Sequence, residues 1–118
     1  NLTALQGALL NLVHNASQVT PKGECVHVET AVSDKRLHVA IIDKGPGVPD
    51  KLKNKIFEPF FTTKTHGTGL GLAVVKSVVN AHNGLLSVSN MPEGGACFSV
   101  SLPCVVNAQS SQTLTHVA

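Results

Sequence analysis

Two asparagines four residues apart, Asn11 and Asn15, stand in an otherwise apolar stretch. On a helix that spacing puts both amides on one face, and Gln18 continues the line. Amide oxygens are neutral, hard ligands. They suit Mg²⁺, which keeps waters and borrows further ligands from phosphates. Alone, the pair is more simply read as amides tolerated on a half-exposed helix. Asp43 follows a run in which Leu37, Val39 and Ile41 occupy alternate positions. A period of two sends its carboxylate to the core side, where it needs a partner. Gly45 and Gly47 follow and let the backbone turn tightly against a flat ligand. An acceptor at the mouth of an apolar slot suits the exocyclic amine of adenine, although an ordinary Gly-Pro turn explains the same residues. Gly67-Thr68-Gly69-Leu70-Gly71-Leu72 opens a helical stretch, and a helix start with glycines is an anion site. No Lys-Ser/Thr pair follows it and no strand precedes it, so it is neither a Walker loop nor a dinucleotide fingerprint. Between these motifs, residues 44–67 carry Lys44, Lys51, Lys53, Lys55 and Lys64 against Asp50 and Glu58, a local charge of +3. A basic loop over a glycine-rich helix start suits a polyphosphate. Read alone, it is equally a loop kept soluble by lysines.

Other chemistries find no residues. There is no H-E-x-x-H, no G-x-S-x-G and no Cys/His ligand spacing, and the six histidines are scattered. Cys25, Cys97 and Cys104 are an odd set without a C-x-x-C pair, which argues against a disulfide framework and for a reducing, cytoplasmic setting. Aromatics are 3% and the net charge is +2, which disfavours base-stacking and electrostatic nucleic-acid binding. No apolar run approaches the length of a membrane span, so no membrane contact is expected. At 118 residues with 42% hydrophobic content, one folded domain is expected. The first residues already read as helix and no Met begins the chain. A piece of a longer protein, soluble or membrane-anchored, is expected.

The elements that must position these residues follow from periodicity. Leu5, Leu9, Leu12, Val13 and Ala16 make a helix of about Thr3 to Val19, stopped by Pro21 and Gly23. Residues 25–33 and the Leu37, Val39, Ile41 run alternate as a hairpin about Asp34-Lys35. Residues 44–68 are punctuated by Gly and Pro and predict a long functional loop with one short turn. Apart from Leu52, Ile56, Phe57, Phe60 and Phe61 it lacks apolar anchors, which predicts a loosely held lid in the absence of nucleotide. Residues 70–81 predict a helix that is apolar on nearly every side and well buried, ended by Asn83-Gly84. Leu86, Val88 and then Phe98, Val100, Leu102 predict two further strands. Residues 105–118 read as a frayed tail. The fold class is α/β (α+β): a two-layer sandwich of one mixed sheet with helices on one face.

Taken in order, these motifs resemble a known set. Asn11-Leu-Val-His-Asn15-Ala resembles the N box of the histidine-kinase ATP-binding domain. Asp43-Lys-Gly-Pro-Gly47-Val48 resembles its first glycine box, Ile56-Phe-Glu-Pro-Phe-Phe-Thr-Thr-Lys64 its F box and Gly67-Thr-Gly-Leu-Gly-Leu72 its second glycine box. Gly94 to Pro103 is similar to its closing strand. The short lid and its Phe-Phe-Thr-Thr-Lys wording look most like nitrogen-regulation sensor kinases. The resemblance implies the Bergerat ATP-binding fold, with residues 1–104 as the catalytic domain, 44–67 as the ATP lid and 105–118 as a tail. It implies Mg·ATP between the first helix and the lid. Asn15 would ligate Mg²⁺ with Asn11 alongside, and Asp43 would bind the adenine amine. Gly45, Gly47 and Val48 would shape the base pocket. Gly67, Thr68, Gly69, Leu70 and Gly71 would cradle the phosphates, Lys64 would neutralise their charge, and Phe60 and Phe61 would anchor the lid. Gln18 stands where many relatives carry a basic residue, and Ala96 where many carry a hydroxyl.

The implied activity is presentation of the γ-phosphate to a histidine on a separate dimerisation domain, upstream of a response regulator. None of the six histidines here has the helical setting of that acceptor. Hydrolysing relatives place a Glu base four residues before the Mg²⁺ ligand. Here that place holds Asn11, whose amide has no useful basicity. A non-hydrolysing nucleotide binder or a serine kinase of the same superfamily is the alternative.

Overall fold

The computed structural model of the protein describes residues 2–59, 71–104 and 112–117. Helix α1 spans Leu2–Val19 and buries Ala8, Leu12 and Ala16, a stripe with one large side chain between two small ones. Its end is fixed by Thr20, whose hydroxyl donates to the Ala16 carbonyl at 2.8 Å. Strands β1 (Val26–Ser33) and β2 (Arg36–Ile42) form the expected hairpin. Asp34 and Lys35 sit at φ 52 and 61. Two left-handed residues in a two-residue connection match the right-handed twist of the strands they join. Helix α2 covers Gly71–Ala81, and strands β3 (Leu85–Asn90) and β4 (Ala96–Pro103) follow. Asn83, at φ 59, ends α2, and the Gly84 N–H donates back to the Val79 carbonyl at 2.9 Å.

Both helices lie on one face of the sheet. Ala8, Leu12 and Ala16 of α1 and Val75 and Val79 of α2 join Val26, Val39, Ile41, Phe98, Val100 and Leu102 in one buried cluster. Strand β4 alternates buried and half-buried residues along its length, as a strand with one covered face must. The two-layer class is thus as the sequence predicts.

Four local expectations are corrected. The tail contributes a strand, β5 (Gln112–Val117), which pairs antiparallel with β1 and completes the order β3-β4-β2-β1-β5. The outer edge of β1 offers backbone groups that any extended segment can pair, whatever its side chains. All four described pairings are antiparallel, a more uniform sheet than a mixed one. Helix α2 is buried along one line only, and Val74 is 54% exposed. Its apolar composition exceeds what one sheet face can cover. The loop after β2 contains two short 3-10 turns, Asp50–Leu52 and Lys55–Phe57, and the second buries Ile56 and Phe57. Two turns stand where the sequence predicts one, and Ile56 and Phe57 are among the apolar anchors that the sequence offers.

Two glycines test the packing. A methyl at Gly84 would sit 2.8 Å from Val79, Leu102 and the Ser101 carbonyl. Gly84→Ala should destabilise the fold by about 1–3 kcal/mol through overpacking. Gly7, inside α1, has nothing within 4 Å of such a methyl. Gly7→Ala should stabilise by about 1 kcal/mol through helix propensity. Urea unfolding of the two variants should move the midpoint in opposite directions.

Candidate functional site

Asp43 is the one charged side chain among the described residues to be buried, at 3% exposure. It lies just past β2, on the face that packs the core. Its Oδ1 accepts the Gly45 N–H at 2.9 Å and the Ala96 N–H at 3.0 Å. Its own N–H donates to the Ala96 carbonyl at 2.9 Å. One carboxylate oxygen is thereby saturated by backbone. Among the described residues, no donor reaches the other.

Glycines make this approach possible. Gly95 has φ 93, and a side chain there would collide with the Asp43 carbonyl. A methyl on Gly45 would lie 2.8 Å from the Val19 side chain at the end of α1. Gly47 has φ 81, and a methyl on it would meet Asn90 Oδ1 at 2.8 Å. Each position combines a close approach with, for two of them, a backbone region that side chains resist.

Three tethers hold the turn 43–48. Ala96 holds Asp43. The Lys44 N–H donates to the Thr20 hydroxyl at 3.1 Å, which links the turn to α1. The Asn90 side chain clasps Val48: it accepts the Val48 N–H and donates to the Val48 carbonyl, both at 2.8 Å. The Val48 side chain packs against the core. Thr20, Asn90 and Gly95 were not among the residues the sequence singled out. A Thr just before Pro21, an Asn ending β3 and a second glycine in the β3–β4 turn are the only local signals they leave.

Across the turn lies α1. Asn11 and Asn15 are both half-buried on the helix edge beside the core stripe, as their spacing predicts. The Asn11 amide donates to the Gly71 carbonyl at 3.5 Å, which sets the N box against the start of α2. Gly71 lies 3.4 Å from that amide at the position a methyl would take. His14 Nε2 pairs with Gln18 Nε2 at 3.0 Å on the exposed side. Lys64, Gly67, Thr68, Gly69, Leu70, Phe60 and Phe61 lie outside the described residues.

The segment that follows the turn 43–48 is pinned by Phe57. Its ring meets Phe98 of β4 edge-on, with centroids 6.3 Å apart, and Lys76 Nζ stands 5.7 Å over it. Lys53 pairs with Asp50 at 2.8 Å. That hydrogen bond and charge hold the exposed Asp50 carboxyl below its ordinary range. Among the described residues no cluster of three or more His, Cys, Asp or Glu is placed to hold a metal ion. A divalent cation here would rest on amide oxygens and on phosphates brought by a ligand. A shallow groove of about 500 Å³ lies on the other face of the sheet, lined by Ala40, Ser87, Ser99 and Ser101 among others. None of the candidate residues lines it.

Residues 1–106 match the family described as Histidine kinase-, DNA gyrase B-, and HSP90-like ATPase. The chain belongs to this family. Sporulation kinase A of Bacillus subtilis is 39% identical over 99 residues, 84% of this chain and 16% of that protein. The signal transduction histidine-protein kinase AtoS of Escherichia coli is 41% identical over 111 residues, 93% of this chain and 18% of that protein. The chain therefore spans less than a fifth of these two relatives. The sensory histidine kinase/phosphatase NtrB of Azospirillum brasilense is 38% identical over 117 residues, 86% of this chain and 29% of that protein, and these relatives do not confirm the nitrogen-regulation subclass expected from the lid wording. Among solved structures, the mycobacterial sensor histidine kinase MprB superposes with TM-score 0.82 at 32% identity, covering 97% of this chain and 74% of that one. ShkA, solved with AMPPNP, gives 0.74 at 31%, covering 95% of this chain and 22% of that one.

The neighbouring glycines of the β3–β4 turn separate backbone strain from collision. Gly94 has φ 103 with nothing near it, whereas Gly95 has φ 93 against Asp43. Gly94→Ala should cost about 1–3 kcal/mol from the left-handed backbone alone. Gly95→Ala should cost clearly more, and chemical denaturation of the pair measures the difference.

Proposed function

We propose that residues 1–104 are the ATP-binding catalytic domain of a sensor histidine kinase. It binds Mg·ATP and presents the γ-phosphate to a histidine on a separate dimerisation domain, with a response regulator further downstream. The observation that carries this reading is the Asp43 carboxylate. One oxygen is locked by two backbone N–H groups, and the other is left to accept from a ligand, at the foot of a lysine-bearing loop. A fixed acceptor suits the exocyclic amine of adenine and repels the carbonyl that guanine carries there. The sensor kinases among the relatives, and the AMPPNP in ShkA, support ATP as the nucleotide.

Family membership implies Mg²⁺, and the donor chemistry fits. Asn15 would hold the ion, with Asn11 beside it, and the phosphates would complete its shell. The bound ion supplies charge neutralisation as the phosphoryl group transfers. The chain's own part is positioning: Asp43 orients the base and Gly71 begins the helix whose N-terminus faces the phosphates. Lys64 and the glycines 67 and 69, with Thr68 and Leu70, would complete the phosphate cradle. Asn11 does not activate water, since an amide is no base, and its nitrogen is turned onto Gly71. That supports transfer over hydrolysis. No helix among the described residues is long and apolar enough to cross a membrane.

In Asp43→Asn, the amide oxygen can keep both backbone bonds, which leaves the NH₂ facing the ligand. A donor then opposes the adenine amine. ATP affinity should fall about 10–100-fold, the range of a hydrogen bond to a charged group. Discrimination against GTP should narrow. Calorimetry with both nucleotides decides it, and unchanged selectivity refutes the assignment. Asn15→Asp puts a charge beside the phosphates. Phosphotransfer to separately supplied dimerisation helices should be lost while the circular dichroism spectrum is kept. A wild-type transfer rate would remove Asn15 from the metal site.

A further inference from the structure

We propose that Asn90 is a positioning residue for the nucleotide base, a role that rests on the reading of Asp43 as the base acceptor. Asn90 is the last residue of β3, 42 positions from the backbone it grips. Its amide does for Val48 what a neighbouring strand would do. Both the N–H and the carbonyl of Val48 are satisfied, at 2.8 Å each, by one rigid side chain.

The placement of this clasp gives it a purpose beyond satisfying Val48. Asn90 pairs directly with Ala96 across the β3–β4 ladder. Ala96 is the residue whose N–H fixes Asp43 Oδ1. A single rung of the sheet therefore holds both ends of the turn 43–48, one end through the Ala96 backbone and the other through the Asn90 side chain. Gly47 lies between, and its lack of a side chain makes room for Asn90 Oδ1, which a methyl would approach to 2.8 Å. Asn90, Gly47 and Asp43 form one construction. With both ends fixed, the direction of the open Asp43 oxygen is set relative to Val48, the apolar residue on the far side of the turn.

The clasp is solvent-exposed. Removing it strands no buried polar group, because water can reach Val48. The fold should survive, and the loss should fall on the geometry of the turn. This separates positioning from bulk stability.

The test uses the 118-residue chain with ADP and GDP as probes. Asn90→Ala should weaken ADP binding by about tenfold, the scale of one net hydrogen bond. It should weaken GDP binding less, so the ratio between them narrows. The Val48 amide should exchange with deuterium about tenfold faster. Asn90→Asp keeps the acceptor for the Val48 N–H and loses only the donor, so it should recover part of the ADP affinity and of the exchange protection. Unchanged ADP affinity together with faster Val48 exchange overturns the proposal, because the clasp is then broken without consequence for the base. An equal loss of ADP and GDP binding in both variants overturns it too, because the clasp is then only structural. Asp43→Asn run alongside keeps the two readings apart. If that variant leaves nucleotide selectivity unchanged, the base-acceptor reading fails by itself. If it narrows selectivity and Asn90→Ala does not, only the present inference fails.

Discussion

A carboxylate removed from water must be given hydrogen bonds, and Asp43 takes two from the backbone. Much of the surrounding structure follows from that requirement. To reach Oδ1, the Ala96 N–H has to stand beside the end of β2, so the β3–β4 turn must press against the Asp43 carbonyl. Only glycine fits at 95, both for its φ of 93 and for the collision a side chain would cause. To bring the Gly45 N–H round to the same oxygen, the chain must turn at once after β2. That turn runs into the end of α1, where Val19 leaves no room for a side chain at 45. Thr20 then joins helix and turn by accepting the Lys44 N–H while donating to Ala16. One buried charge thus ties the sheet, the hairpin turn and the first helix together.

What the sequence made legible was whatever periodicity or local composition encodes. The stripe of α1, the alternation of β2 and β4 and the inward direction of Asp43 all depend on spacing within one element. So do the two amides on one edge of α1. Asn90 and Thr20 were not legible because their roles are defined by partners 42 and 24 positions away. An asparagine at a strand end has the same local signature whether it faces water or grips a distant loop. Gly95 is locally one of two adjacent glycines, and its contact with Asp43 exists only in the folded chain. β5 was missed for a different reason. Its pairing is written in the unpaired edge of β1, not in the sequence of the tail. Its register also shifts between Val26 and Val28, which no alternation pattern forecasts. Helix α2 shows the opposite error: apolar on nearly all sides by composition, it buries only Val75 and Val79 fully, while Leu72 and Val78 pack against the core in part.

The segment 49–57 takes on a different character from its composition. Its lysines suggest a loose basic arm, yet the described part is fastened at both ends to one hairpin. Val48 is held by Asn90 of β3, and Phe57 is held edge-on by Phe98 of β4. Residues 49–55 therefore bridge two fixed points, and the 3-10 turns are how so short a span closes. Lys53 is committed to Asp50 within its own turn. Lys76 is committed over the outer face of Phe57, so α2 also braces the anchor. Charge repulsion acts here on a segment already restrained by about 9% or less exposure at Ile56 and Phe57. The β3–β4 hairpin is the fixed frame that holds both the turn 43–48 and the segment 49–57. A perturbation at the hairpin should accordingly be felt at Val48 and at Phe57 together, although the whole of α2 separates the hairpin from both along the chain.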